Sequence, residues 1–129
     1  MPNAIRVWGS EAFEAGTKYP TARLVDRDGN VLVQGNLTGA ILQRVYDLGS
    51  DTPDEAILSN TVSVASTVFN TLQDWDIDDI GFNFRAEITS NDVSWEGDHS
   101  YRICYLAPHS TQGYIPLVYD LKIRTLLSL

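Results

Sequence analysis

Cys104 is the only cysteine among 129 residues, so no intrachain disulfide can form and a small scaffold stapled by bridges is excluded. Basic residues are scarce too: nine Lys and Arg stand against seventeen Asp and Glu, a formal charge of −8. The nine are scattered from Arg6 to Arg124 and build no stripe. A polyanion would therefore meet net repulsion, and neither nucleic acid nor an anionic membrane surface is an expected partner. No apolar run approaches the ~20 residues that span a bilayer. The amino terminus, Met1-Pro2-Asn3-Ala4-Ile5-Arg6, lacks the basic-then-apolar order of a secretion signal. The expected location is the cytoplasm of the producing cell, or an assembly built there.

Recognisable catalytic chemistry is also missing. There is no Gly-x-Ser-x-Gly elbow and no glycine-rich phosphate loop. His99 and His109 are the only histidines, and neither has a Cys or a second His at metal-ligand spacing. Cys104 alternates with Ile103 and Tyr105 in an apolar run, which suits a small, half-buried packing group better than a nucleophile. Asn36-Leu37-Thr38 matches a glycosylation acceptor, and without a secretion signal the match reads as chance. These absences lead to the expectation of a non-enzymatic protein without a cofactor.

Two features invite a binding reading. In Asp74-Trp75-Asp76-Ile77-Asp78-Asp79 the alternating Asp74, Asp76 and Asp78 could offer oxygen ligands to calcium. A calcium loop of that pattern needs Gly at the sixth position and Glu at the twelfth, where this chain has Asp79 and Arg85. The segment reads as a solvated acidic turn. Its crowded carboxyls also lack the separation across a cleft that glycoside hydrolysis requires. Trp8, Trp95 and Tyr114 could make a sugar-stacking platform, against which stands the large area each ring gains by plugging the end of a domain.

What the chain does have is aromatic residues, three Trp, six Tyr and four Phe, and period-two alternation. From Ile115 to Ile123 the odd positions are apolar while Asp120, Lys122 and Arg124 fall on even ones, which predicts a strand with Ile115, Leu117, Tyr119, Leu121 and Ile123 buried. Pro116 removes a ladder donor and belongs at an edge or at the strand's start. The partner is residues 101–107, with Tyr101, Ile103, Tyr105 and Ala107 on one face and a turn-rich loop, residues 108–113, between. In residues 82–88, Phe82, Phe84, Ala86 and Ile88 point inward and Asn83, Arg85 and Glu87 outward. Residues 21–26 and 30–34 flank Asp28-Gly29, a hairpin signal. Residues 40–48 and 61–65 are further strands, and residues 5–8 form a strand or an extended arm. Two helical pieces are predicted. One begins at the Thr52-Pro53-Asp54-Glu55 cap and ends near Asn60; the other carries Val68, Leu72 and Trp75 on one face.

Together these readings predict an all-β chain: residues 1–20 as an amino-terminal arm or first edge strand, and residues 21–129 as one antiparallel sandwich with one or two short helical turns. Trp95-Glu96-Gly97-Asp98-His99-Ser100-Tyr101-Arg102-Ile103 resembles the Gly-x-x-x-Tyr-x-Ile corner of immunoglobulin-like and fibronectin-like sandwiches. The resemblance implies that the Tyr101 hydroxyl bonds back to the preceding loop. The family's cysteine pair is missing, and no Trp falls in the strand that usually carries one. With the hairpin at residues 23–32 and Leu37-Thr38-Gly39-Ala40, the chain is similar over about two-thirds of its length to immunoglobulin-like modules of bacteriophage virions.

That resemblance implies a structural subunit of a virion, such as a head-decoration, tail or baseplate component. Its partners would be other copies of itself in a homo-oligomer and other particle proteins. No functional residue carries over, because such modules act through surfaces. Ile5, Val7, Trp8 and Phe13 are the expected interface, since an arm bearing them is costly to leave in water. The competing expectation is a small carbohydrate- or calcium-binding module.

Overall fold

The computed structural model describes residues 7–13 and 16–124. Among them eight strands follow in chain order: β1 (Val7–Phe13), β2 (Thr21–Ala22), β3 (Ile41–Asp47), β4 (Ala56–Val62), β5 (Val68–Gln73), β6 (Phe82–Arg85), β7 (Ser100–His109) and β8 (Gly113–Arg124). A one-turn helix, α1 (Val64–Thr67), joins β4 to β5, and a 3-10 turn occupies Gln34–Asn36. Strand accounts for 49% of the structure and helix for 6%, so the class is all-β.

The hairpin β7–β8 organises the larger sheet. Its register sets Tyr101 opposite Leu121, Ile103 opposite Tyr119, Tyr105 opposite Leu117 and Ala107 opposite Ile115. All of these and Ile123 are buried. A slip of one residue would turn this whole apolar set outward, at about 1.5–3 kcal/mol for each large side chain, so the alternation fixes the pairing. Pro116 sits near the start of β8, before the pairing with β1 begins at Val118; Ile123 bonds toward β7, so by alternation position 116 faces away from β7 and its missing N–H breaks no rung of the hairpin.

Five strands lie in the order β1-β8-β7-β3-β4 and three in the order β2-β6-β5. One pairing departs from the predicted antiparallel arrangement: β1 runs parallel to β8, Val7 opposite Val118 through Phe13 opposite Arg124. The core lies between the two sheets, where Phe84 of β6 meets Tyr105 of β7 edge to face at 4.8 Å. A pair of that kind adds about 0.5–1.5 kcal/mol beyond its buried area.

Asn83 corrects a predicted orientation. Its neighbours Phe82 and Phe84 are buried as expected, and Asn83 on the other face is buried as well, fully so. The predicted strand of residues 21–26 forms a ladder only at Thr21 and Ala22, followed by the single bridge between Val25 and Val31. Asn83 takes the place of the missing rungs. Its Oδ1 accepts the Leu24 amide at 2.6 Å, and its Nδ2 donates to the carbonyls of Leu24 at 2.9 Å and Leu32 at 2.8 Å. A side-chain amide carries the same donor and acceptor as a peptide unit, so it can close a ladder that the backbone leaves. The turn beyond has Gly29 at φ +87°, the left-handed region a residue with a β-carbon avoids, and Asp26 Oδ1 accepts the amides of Asp28 and Asn30 at 2.9 Å each.

Both predicted helices are strands. The cap at Thr52 makes a single turn, Glu55 N–H to Thr52 O at 3.1 Å, and the chain then extends as β4, pairing with β3 from Ile41–Val62 to Tyr46–Ala56. Ile57, Thr61 and Val62 are β-branched, and Ser59 and Asn60 compete with helical hydrogen bonds, so nothing beyond the cap sustains a helix that short. The predicted strand at 61–65 is divided between the end of β4 and α1, whose turn is capped by Ser63 accepting the Ser66 amide at 3.2 Å. Val68, Leu72 and Trp75 mimic helical spacing for another reason. Val68 faces Phe84 and Gln73 faces Phe82, so five steps on β5 answer two on β6, and Leu72 is turned out to solvent. Gly81, at φ +110°, lets β5 come this close: a β-carbon there would collide with the Gln73 carbonyl.

Candidate functional site

The densest group of titratable side chains lies where β3 ends and β7 begins. Tyr101 is fully buried, and its Oη accepts the backbone amide of Glu96 at 2.7 Å. Its ring meets Trp95 edge to face at 4.8 Å. Burial pushes the Tyr101 phenol above its ordinary range, so it stays a neutral hydrogen-bonding group. Asp98, the one non-glycine residue with positive φ among those described, at 65°, turns the chain so that His99 lies over Asp47.

His99 Nδ1 contacts both carboxylate oxygens of Asp47, at 2.9 and 3.0 Å, while Nε2 faces Glu96 Oε2 at 3.4 Å. The bond to Asp47 raises the His99 pKa above 6.5, against a smaller opposing effect of burial, and Glu96 and Asp98 add to the rise. These contacts favour the imidazolium more than in a free histidine, and in that form both nitrogens can donate. Asp47 also accepts the Gly49 amide at 3.0 Å, which ties the turn after β3 to the corner before β7. A β-carbon at Gly49 would come within 3.0 Å of the His99 ring.

Asp47, Glu96 and His99 present ligand atoms within 4.8 Å of one another. They are already matched internally, the His99 ring lying between two carboxylates, and a divalent cation would have to compete with those contacts and with the ring's raised affinity for its proton. The position at Nε2 where a hydroxyl nucleophile would accept general-base help is taken by Glu96. What this arrangement does chemically is clamp two loops. A cleft of about 130 Å³ lies elsewhere, lined by Ala12, Thr17, Lys18, Tyr19, Pro20, Tyr119 and Leu121. Ligand pockets hold roughly 300–1,000 Å³.

The residues singled out from the sequence do not converge. Asp78 forms an ion pair with buried Arg23, and its Oδ1 accepts the amides of Ile80 at 3.0 Å and Gly81 at 2.9 Å. Asp74 and Asp76 are exposed beside it, and the three make no ligand group. Trp95 is buried, at 6% exposure, which removes it from a sugar platform; Tyr114 is exposed on the opposite end of the hairpin. Asn36 Oδ1 accepts the Val33 amide at 2.9 Å. His109 Nδ1 accepts the amides of Thr111 and Gln112 at 3.1 Å each and so caps the β7–β8 turn. Cys104 is half-buried, its thiol pKa raised by desolvation. Ile5 lies outside the described residues, and Val7, Trp8 and Phe13 enter only as backbone positions along β1.

The link between Asp47 and His99 was not foreseen. They stand far apart in sequence, and only the pairing of β3 with β7, Asp47 opposite Tyr101, brings them together. Among the described residues no helix is long and apolar enough to cross a membrane. Comparison with protein-family models, with curated proteins and with solved structures finds no match to this chain.

Proposed function

We propose that this chain is an immunoglobulin-like, non-enzymatic structural subunit that works through protein–protein surfaces, in a virion or virion-like particle as a head-decoration, tail or baseplate component. The observation that carries the reading is the strand arrangement. A sheet β1-β8-β7-β3-β4 facing a sheet β2-β6-β5 corresponds strand for strand to a GFC sheet extended at both edges over a BED sheet. Tyr101 stands at the start of the strand equivalent to F and bonds to backbone upstream, where that fold keeps its tyrosine corner. The cysteine pair of many such domains is replaced by ordinary core packing.

The surface reading draws support from how the polar chemistry is used. Asn83, the buried Tyr101 hydroxyl and the His–carboxylate cluster all hold one part of the fold to another. Function then falls to the outer faces and edges, as it does for sandwich domains that serve as building blocks. The test is to fractionate the producing cell by sedimentation and probe the fractions for the chain. Recovery with large particles is expected. Recovery only among free proteins, or a specific melting-temperature rise with calcium or a glycan, would overturn the proposal.

A further inference from the structure

Residues 56–73, the whole of β4, α1 and β5, contain none of the nine basic and seventeen acidic residues and neither histidine. They are also contiguous in space. β4 is an edge of the five-stranded sheet and β5 an edge of the three-stranded one, and α1 carries the chain directly from one to the other. One side wall of a molecule with net charge −8 thus carries no charge of its own, and the cation that reaches it, Arg85 of β6, lies over the Phe69 ring on the β5 side, away from β4. The wall exposes Ile57 and Leu72 and half-exposes Leu58, Val62, Val64 and Phe69.

An edge strand presents a row of unpaired backbone donors and acceptors, and soluble proteins normally guard it with charge, proline or extreme shortness. β4 spans seven residues with neither charge nor proline, and among the described residues β3 is its only strand neighbour. β4's one guarding feature is a bulge at Ile57, near its start, which leaves Leu58 to Val62 in regular register with β3; β2, by contrast, is two residues long. The chemistry that fits β4 is another extended backbone.

We infer that β4 is a self-association edge, which pairs antiparallel with β4 of a second copy about a two-fold axis through Ser59. This deepens the assembly reading above, on which it rests. The strand is self-complementary about that residue: Ile57 falls opposite Thr61, Leu58 opposite Asn60 and Ala56 opposite Val62 across the axis, with no like charges meeting. The nearest charge in the ladder is Arg44, opposite Ser59 on β3, and its counterpart would stand three strand spacings away, roughly 14 Å. That exceeds the screening length of about 8 Å at physiological salt. The acidic turn before β4, with Asp54 and Glu55, would face the uncharged residues after Val62. Two copies that repel everywhere else can meet here, and a two-fold contact is self-limiting.

The experiment is sedimentation equilibrium of the full chain, from low micromolar to several hundred micromolar, with Ser59→Lys, Thr111→Lys and Ser59→Cys in a Cys104→Ser background. Wild type and Thr111→Lys, a change on the β7–β8 turn, should dimerise alike. Ser59→Lys should raise the dissociation constant by roughly tenfold or more, since two ammonium groups then meet at the axis, with an unchanged circular dichroism spectrum. Ser59→Cys should give a covalent dimer with a short bismaleimide cross-linker, because facing β-carbons in such a pair lie about 4.5–5.5 Å apart. A monomer at every concentration, or a dimer that tolerates Ser59→Lys and fails to cross-link, would overturn the inference. If β4 binds instead an extended segment of another protein, the inference fails while the assembly reading stands; loss of co-sedimentation with particles would remove both.

Discussion

The Tyr101 corner and the wall of residues 56–73 use their polar groups in opposite ways. At the corner, Asp47, Glu96, His99 and Tyr101 are matched to one another and to backbone amides, and the charge there is consumed in holding loops. Asn83 does the same inside the smaller sheet. The wall has no charged residue of its own, and among the described residues β4 has a strand neighbour on one side only. A buried polar group left unmatched costs about 1–3 kcal/mol, and among the described residues Trp95 Nε1 is the one buried side-chain polar atom without a hydrogen-bond partner, so the interior is closed but for that atom. An exposed edge is satisfied by water until a better partner arrives, so it can remain open. The difference separates what stabilises the domain from what is available for association.

Substitutions can break that separation or sharpen it. The largest effect is expected at Asn83→Ala, which strips the Leu24 amide and the Leu24 and Leu32 carbonyls of their shared partner. The loss should be about 3 kcal/mol or more, seen as a fall in the urea midpoint at constant slope. Tyr101→Phe should cost about 1–3 kcal/mol by leaving the Glu96 amide unmatched, and its melting temperature should fall while dimerisation, measured at a temperature where it is folded, is unchanged.

A smaller effect follows from His99. Its folded pKa lies above 6.5 because of Asp47, so its contribution is fully present below the unfolded value. It should fade as pH climbs from there through the raised folded value. For a partly exposed pair the size is below about 1 kcal/mol. Melting curves across that window should show a decline in wild type that His99→Gln lacks. Gly49→Ala, which crowds the ring, should shrink the step. The smallest effect is expected at Asp74→Asn with Asp76→Asn: no change in melting temperature, with or without millimolar calcium. A calcium-dependent stabilisation of wild type, lost in the double variant, would restore a metal role to that turn.

Alternation made β7, β8, β3 and the inner face of β6 legible, because a strand buried on one side records its register in every second residue. Tyr101 was legible for a similar reason: the corner is local, and Gly97 and Tyr101 mark it within a few residues. Residues 52–75 were misread because a genuine cap at Thr52 and a spacing of four between Val68 and Leu72 both imitate a helix. The pairing of β4 with β3 and the irregular register of β5 against β6 decided otherwise, and neither is local. Asn83 was misplaced since alternation assumes that the outer face is wet, whereas the segment leaving β2 covers it. The Asp47–His99 contact depends on long-range pairing and left no spacing to read. The uncharged run, by contrast, stood in the sequence and acquired meaning only when its two ends proved to be the edges of two sheets.

The most direct measurement of the separation between a closed corner and an open edge is amide hydrogen exchange as a function of protein concentration. The outward-pointing amides of β4, those of Ser59 and Thr61, should become protected as concentration rises through the dimerisation range, while the amide of Glu96 and that of Leu24, bonded to Asn83, keep their rates. Exchange along β4 that is independent of concentration, or protection that grows at the corner instead, would contradict the account.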